Sequence, residues 1–457
     1  MMRLSAIAMW TRGQLLGNDT EVAGVALDSR AVQAGNLFVA IAGERVDGHD
    51  FLADVAAHDA GGALVSRRVD SPLPQVLVND TTLALGDLAS AVRAQRDVRV
   101  VGITGSNGKT TTKTLVAAIL GRHGRTHVSA GNHNNELGLP LSVLAMPADT
   151  QYAVFEMGAG KPGDIAYLAG IARPEVALVT LVAPAHLERM GSVEGVASTK
   201  GALYEALPRD GVAVINADDR FAPFFTTLAA GRQVLRFGLE QAAEIGARDI
   251  RSSLEGSRFV LRTPHGEAEL GLSLPGRHNV MNALAAAAVA TALQVPLPTI
   301  VAGLESVRGV PGRLQCQPAA GGWSLIDDSY NANPGSMAAA IDTLLLAPGE
   351  HWLVLGDMAE LGAEAVALHA ALGRRARERG IERLFATGPL GLETVRAFGA
   401  GGEHYADQQS LLAALRPQLH EGVTCLVKGS RSAGMERVVQ ALRDGAGTAA
   451  GGDTHAA

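Results

Sequence analysis

Val98-Arg-Val-Val-Gly-Ile-Thr-Gly-Ser-Asn-Gly-Lys-Thr-Thr-Thr112 decides how this chain is read. The stretch from Val98 to Ile103 has the apolar pattern of a buried strand, and the residues after Lys109 have a helical one. Between them, Gly105, Ser106, Asn107 and Gly108 form a loop that can turn successive backbone N–H groups toward one anion. The helix N-terminus adds its dipole, Lys109 a positive charge, and the Thr110 hydroxyl an oxygen for Mg²⁺. Strand, loop and helix in this order predict a cradle for a nucleoside triphosphate. The loop is of a shortened kind. The common phosphate loop has a glycine where Ile103 stands, and Gly102 comes one residue early. Dinucleotide Gly-x-Gly-x-x-Gly spacing does not fit either.

Outward from this loop, strand and helix patterns alternate. Strands are expected at Val98–Ile103, Ala153–Glu156, Val176–Thr180, Val212–Asn216 and Gln233–Phe237, with helices between them, which implies parallel βαβ units. Asp249–Leu274 reads as hairpins, followed by a helix over Asn279–Leu293. A third segment opens at Pro311-Gly312 and returns to α/β alternation, with strands at Ser324–Ile326, Trp352–Leu355, Leu384–Ala386 and Cys425–Val427. Ahead of the loop lie strands at Phe38–Ile41 and Gly62–Val65 and helices at Phe51–Ala60 and Leu83–Gln95. The fold class is therefore α/β in three domains. A small N-terminal α/β domain spans 1–85, a central P-loop domain with a mainly parallel sheet spans 86–310, and a C-terminal Rossmann-like domain spans 311–445. A Gly-, Ala- and Thr-rich tail, 446–457, is expected to be disordered.

The net charge of −7 argues against a general nucleic-acid surface. Two distant cysteines, Cys316 and Cys425, form neither a disulfide framework nor a metal motif, which favours a reducing, cytoplasmic setting. No stretch reads as a signal peptide or a membrane span.

Polar signatures gather at the carboxyl ends of the expected strands, where open parallel sheets bind ligands. Glu156 ends one strand and can reach the magnesium of a bound triphosphate. His186 follows another, and Lys200 lies on the next helix; by themselves these read as a packing histidine and an exposed lysine. Asn216-Ala-Asp-Asp219 either lines the nucleotide or caps the helix that starts near Phe221, with capping the default. Asn279 either meets a base edge or caps its helix. Asp327-Asp-Ser-Tyr-Asn-Ala-Asn-Pro334 is the densest cluster and reads as a ligand-facing loop. Arg313, beside the expected hinge, either closes onto a phosphate or forms an interdomain salt bridge. Asp28-Ser-Arg30 and Asp47-Gly-His-Asp50 are turn chemistry or a separate specificity site.

These residues resemble the ATP-dependent Mur ligases of bacterial cell-wall synthesis. The resemblance rests on the shortened loop Thr104–Thr111, on Gly131-Asn-His-Asn-Asn-Glu-Leu-Gly138, Asp327–Pro334, Gly356-Asp-Met-Ala-Glu-Leu-Gly362 and Lys428-Gly-Ser-Arg431, and it extends to about Arg443. It implies an amide-forming enzyme acting on UDP-N-acetylmuramoyl-tripeptide and D-alanyl-D-alanine, with ATP and two Mg²⁺, as a monomer without nucleic-acid partners. It implies Gly105–Thr111 and Lys109 on the phosphates, Thr110 and Glu156 on one Mg²⁺, and His186 with a carbamylated Lys200 on a second. Asn279 would meet adenine, Asp328 the ribose and Arg313 the phosphates. Ser29, Arg30, Asp47, Gly48 and His49 would lie near the UDP end. Asn134, Asn135, Tyr330, Asn331, Asn333, Lys428 and Arg431 would face the remaining substrate, with Tyr330, Asn331 and Asn333 near the dipeptide. Leu181 departs from the asparagine that relatives often carry there. The alternatives are another Mur-type or folylpolyglutamate-type ligase, a P-loop kinase and a nucleotide-gated binding protein.

Overall fold

The computed structural model describes residues 1–43, 45–310 and 312–447. Pro311 of the expected hinge and the tail from 448 lie outside the described residues, and the last helix, Glu436–Gly447, runs past the expected start of the tail. Three sheets organise the chain. The first has five strands in the spatial order Gln14–Leu16, Gln75–Leu77, Gly62–Val65, Leu37–Val39, Val25–Ala26. Its first pair is antiparallel and the rest are parallel. Alternation along the strands feeds two cores: Leu37, Val39 and Leu64 face one, and Phe38, Ala63 and Val65 the other.

The central sheet is all parallel, in the order Gln233–Phe237, Val212–Asn216, Val176–Val179, Arg99–Thr104, Tyr152–Glu156, Thr126–Val128. Both faces are covered, so its strands read as continuous apolar runs: Val101 and Ile103 belong to one core, Val100 to the other. On one face the Lys109–Leu120 helix packs against Arg277–Ala292, whose Ala283 and Ala285–Ala288 are fully buried; small side chains let the two approach closely. The expected hairpins form a three-stranded antiparallel sheet over Gly246–Leu272. Helix Thr81–Ala94 packs on both the first and the central units, so the expected boundary at 85 falls inside it.

The third sheet runs Gln315–Pro318, Ser324–Asp328, Val423–Lys428, Glu350–Leu355, Arg383–Thr387, Gly402–Tyr405, with only the first strand antiparallel. Val423–Lys428, the last strand in sequence, lies between Ser324–Asp328 and Glu350–Leu355. No described helix is long and apolar enough to cross a membrane.

Candidate active site

The Arg99–Thr104 strand delivers its loop to the centre of the sheet edge. Gly105 has φ +148° and Gly108 φ +80°, conformations that side-chain-bearing residues avoid. A Cβ on Gly105 would strike Thr180 Oγ1, and one on Gly108 would strike Asn282 Oδ1. The loop is bolted to the neighbouring strand end. Ser106 N–H donates to Leu181 O (2.8 Å), Thr180 Oγ1 donates to Asn107 O (2.5 Å), and Ser106 Oγ donates to Ala183 O (3.0 Å). Leu181 thus serves through its backbone. Lys109 Nζ donates to Gly105 O (2.9 Å), folded back over the loop. Burial lowers its pKa, Glu156 opposes that shift, and Arg313 adds to it.

Thr110 Oγ1 and Glu156 Oε2 are 3.0 Å apart, although 46 residues separate them in sequence. Glu156 is only 2% exposed, yet its carboxyl stays below the ordinary carboxylate range. Burial pushes it upward most, but Lys109, Lys113, Asn134 and Thr110 together outweigh that. Asn134 Nδ2 donates to Glu156 Oε1 (2.9 Å), and buried Lys113 lies 3.3 Å from Oε2. Lys113 also donates to Ser129 O and Gly131 O. Neither Lys113 nor this use of Asn134 was read from the sequence. The signal for Lys113 was its place one helical turn after Lys109.

Lys200 is 2% exposed, faces the same cleft and has no hydrogen-bond or ion-pair partner among the described residues. Burial, then the charge of Lys109, lower its pKa to about 7. It is a buried amine with a large neutral fraction, not the exposed lysine that sequence alone suggests. His186 bonds through Nδ1 to Glu360, from the Gly356–Gly362 loop of the third unit. Burial lowers the His186 pKa most, with Glu360 opposing and Lys200 adding to the fall. Both partners have left-handed backbones, φ +53° at His186 and +61° at Glu360.

The third unit roofs the loop. Asn333 caps helix Pro334–Leu344 and exchanges two amide bonds with Asn107: Asn107 Nδ2 to Asn333 Oδ1 (3.1 Å) and Asn333 Nδ2 to Asn107 Oδ1 (2.7 Å). Arg313 and Arg431 both lie over the Tyr330 ring, at 4.3 and 5.7 Å from its centroid. Two cavities meet at Asn107 and Gly108. One, of about 500 Å³, holds Lys109, Thr110, Glu156, His186, Lys200, Arg313, Tyr330, Asn331 and Arg431. The other, of about 600 Å³, is walled by Phe237, Met281 and Leu346 with polar groups from His278, Asn282 and Asp342. A flat base with an attached ribose suits the second, and phosphates suit the first.

Several expected contacts are not brought to these cavities. Asn279 lines neither: its Nδ2 donates to Pro275 O (2.8 Å) and its Oδ1 accepts from Asn282 Nδ2 (3.0 Å), so its amide is spent within the helix start. Asn282, one turn on, faces the cavity instead. Asp328 is paired with buried Lys428 (2.5 Å) and accepts from Leu314 N–H, leaving neither Asp328 nor Lys428 facing a nucleotide. The carboxylates that line the second cavity are Asp218, Asp219, Glu240 and Asp342. Asn331 and Asn135 line the first cavity, but each side-chain oxygen also accepts from local backbone, at Ala332 N–H and Gly138 N–H. In the first unit His49 is buried, with Nδ1 on Asp47 (2.6 Å) and Nε2 accepting from Ser66 N–H (2.9 Å). A Cβ on Gly48 would sit 2.7 Å from Ile41 N, so that glycine serves packing. Asp28 caps Ser29–Ala31 and grips the exposed Arg30. Neither loop touches the cleft. The Asn216–Asp219 turn does line the second cavity, through Asn216, Asp218 and Asp219, with its carboxylates also bonded to backbone: Asp219 accepts from Val182 and Phe221 N–H, and Asp218 from Leu239 and Gln241 N–H.

Among the described residues no three His, Cys, Asp or Glu side chains converge as a metal cage. Thr110 and Glu156 are hard oxygen donors side by side at the loop mouth, which suits a Mg²⁺ that takes its other oxygens from phosphate and water.

Family models match along the chain: the Mur ligase family catalytic domain at residues 21–93, the Mur ligase middle domain at 103–290, and the Mur ligase glutamate ligase domain at 312–431. The UDP-N-acetylmuramoyl-tripeptide–D-alanyl-D-alanine ligase of Escherichia coli (strain K12) is 45% identical over 444 residues, covering 96% of this chain and 98% of that one. A crystal structure of MurF from Acinetobacter baumannii superposes with a TM-score of 0.91 at 34% identity, covering 96% of this chain and 98% of that one. MurF ligase from Thermotoga maritima in complex with ADP gives 0.84 at 28% identity, covering 94% and 99%. With the shortened loop, its buried carboxylate and the cleft roofed by a third α/β unit, these matches place the chain in the Mur ligase family.

Proposed function

We propose that this chain uses ATP to join D-alanyl-D-alanine to UDP-N-acetylmuramoyl-tripeptide in the cytoplasm. One observation carries the reading: Lys109, the Thr110–Glu156 pair and buried Lys200 open onto a single cleft that the third unit roofs through Asn333, Tyr330 and Arg313. The names of the relatives supply the substrates.

A carboxylate oxygen is a poor leaving group, and transfer of the ATP γ-phosphoryl group to it removes that obstacle. Such transfer needs positioning and charge neutralisation more than covalent help from the protein. The loop N–H groups and Lys109 hold the phosphates, and Arg313, held over Tyr330, faces the same charge from the third unit. Mg²⁺ at Thr110 and Glu156, and a second ion at His186 and a carbamate of Lys200, would add positive charge there. The Lys200 environment suits that modification, since only a neutral amine attacks CO₂ and this amine is neutral in large part near pH 7. The dipeptide amine then attacks the acyl phosphate, forming the amide bond as phosphate leaves. The roofed cleft keeps water from that acyl phosphate.

The test is phosphate release with each of the three substrates omitted in turn. Release is expected only with all three; equal release without the dipeptide would refute the ligase reading. Lys109→Ala should cut turnover by about 100-fold or more with the fold retained, as removal of a preorganised transition-state contact does.

A further inference from the structure

The cleft is arranged for anions. Lys109, Lys161, Arg189, Arg313 and Arg431 line it, beside the amine of Lys200. Phosphates and carboxylates of the first two substrates suit that field, but the second half-reaction brings a cation. An α-amino group titrates near 8, so a dipeptide arrives at pH 7 mainly as an ammonium. It must come to rest beside the activated carbonyl against these like charges, and a carboxylate at that point is the natural counter-charge.

Four carboxylates line the cleft: Glu136, Glu156, Asp164 and Glu360. Glu156 is committed to Thr110, Asn134 and Lys113. Asp164 accepts from Gly160 and Lys161 N–H at 2.8 and 2.9 Å. Glu136 lies toward Tyr167, which packs on Gly86 of the helix leading from the first unit. Glu360 remains. It is the one carboxylate of the four supplied by the third unit, it is half exposed, and it sits beside His186, itself within the fields of Lys200 and Lys109. Its Oε2 engages His186 Nδ1, while Oε1 has no partner among the described residues. Left-handed backbone at both residues of the pair is uncommon outside glycine and concentrates at functional sites.

We propose that Glu360 anchors the ammonium of the incoming D-alanyl-D-alanine, with His186 orienting its carboxylate so that one oxygen stays free for the substrate. The proposal rests on the ligase reading above and assigns a binding residue for its second substrate.

Glu360→Gln in the full chain tests it. The KM for D-alanyl-D-alanine should rise roughly 10- to 100-fold, the range of a lost charge-assisted hydrogen bond. The KM values for ATP and the UDP-linked tripeptide should hold. Acyl-phosphate formation from those two, trapped with hydroxylamine, should keep the wild-type rate. D-Lactoyl-D-alanine, which has a hydroxyl in place of the ammonium, should inhibit wild type and variant equally. Glu360→Asp, which keeps the charge, should recover much of the dipeptide KM. An unchanged dipeptide KM in Glu360→Gln overturns the anchor alone. So does a parallel loss of acyl-phosphate formation, which would assign Glu360 to supporting His186. Absence of any dipeptide-dependent turnover in the wild-type chain overturns the ligase reading and the anchor together.

Discussion

Lys113 has three oxygens for its three donors: the carbonyls of Ser129 and Gly131 and the carboxylate of Glu156. It therefore ties the Gly131–Gly138 loop, whose Asn134 holds the other oxygen of Glu156, to the helix that begins with Lys109 and Thr110. Lys113→Met leaves two carbonyls without a donor and a buried carboxylate short of one cation, a loss of about 1–3 kcal/mol. The variant should need more Mg²⁺ for half-maximal activity at fixed ATP, and an unmoved Mg²⁺ midpoint would refute the supporting role. His278 offers a pH-dependent counterpart. Burial, then Lys428, push its pKa from the ordinary 6.5 to about 4. Between those values the unfolded chain binds more protons than the folded one, so stability falls as pH drops through that window. His278→Gln should flatten this acid limb. Denaturation midpoints measured from pH 7 to pH 4 check it, and parallel curves for the two proteins would count against it.

At the scale of elements, helix Pro334–Leu344 starts at Asn333, whose side chain does two things at once. It accepts Ser336 N–H as a cap (2.9 Å) and pairs with Asn107 of the phosphate loop. Asn333→Ser keeps a capping oxygen but removes the amide donor, so it separates the two roles. The helix should persist while turnover falls about 5- to 30-fold, the equivalent of one or two kcal/mol. Wild-type turnover would show that the pair does not hold the roof. Strands Gly62–Val65 and Val212–Asn216 were legible to the residue, because a buried apolar run carries its own signal, and edge strand Gln233–Phe237 through the alternation of exposed Arg236 with buried Leu235 and Phe237. Edge strands Thr126–Val128 and Gly402–Tyr405 were not; they are short and only half buried, and neighbouring strands make them. Sites divide the same way. Lys109, Thr110, Glu156, His186 and Lys200 converge because strand ends and helix starts in a parallel sheet share one edge. Asn279, Asp328 and His49 look equally chemical in sequence, and only their folded partners, Pro275, Lys428 and Ser66, show that their polar atoms are already used.

Across the whole molecule, the central and third units meet at a cleft, the one as its floor and the other as its roof. The Asn107–Asn333 exchange and the His186–Glu360 pair both cross that line. On the proposed reading the reaction chemistry is divided between units: the floor would hold phosphate and activate the carboxylate, and the roof would present the second substrate. The roof has its own constraint. Its last strand, Val423–Lys428, fills the middle of the sheet, between strands that end at Asp328 and Leu355, and Lys428 supplies the cation for buried Asp328. Synthesis runs from the N-terminus, so the emerging chain holds two half-sheets apart, with open edges, until residue 428 has left the ribosome. The first two units complete their sheets long before this. A nascent chain therefore carries a finished floor and an unfinished roof until that strand emerges, the interval in which chaperones have most to shield.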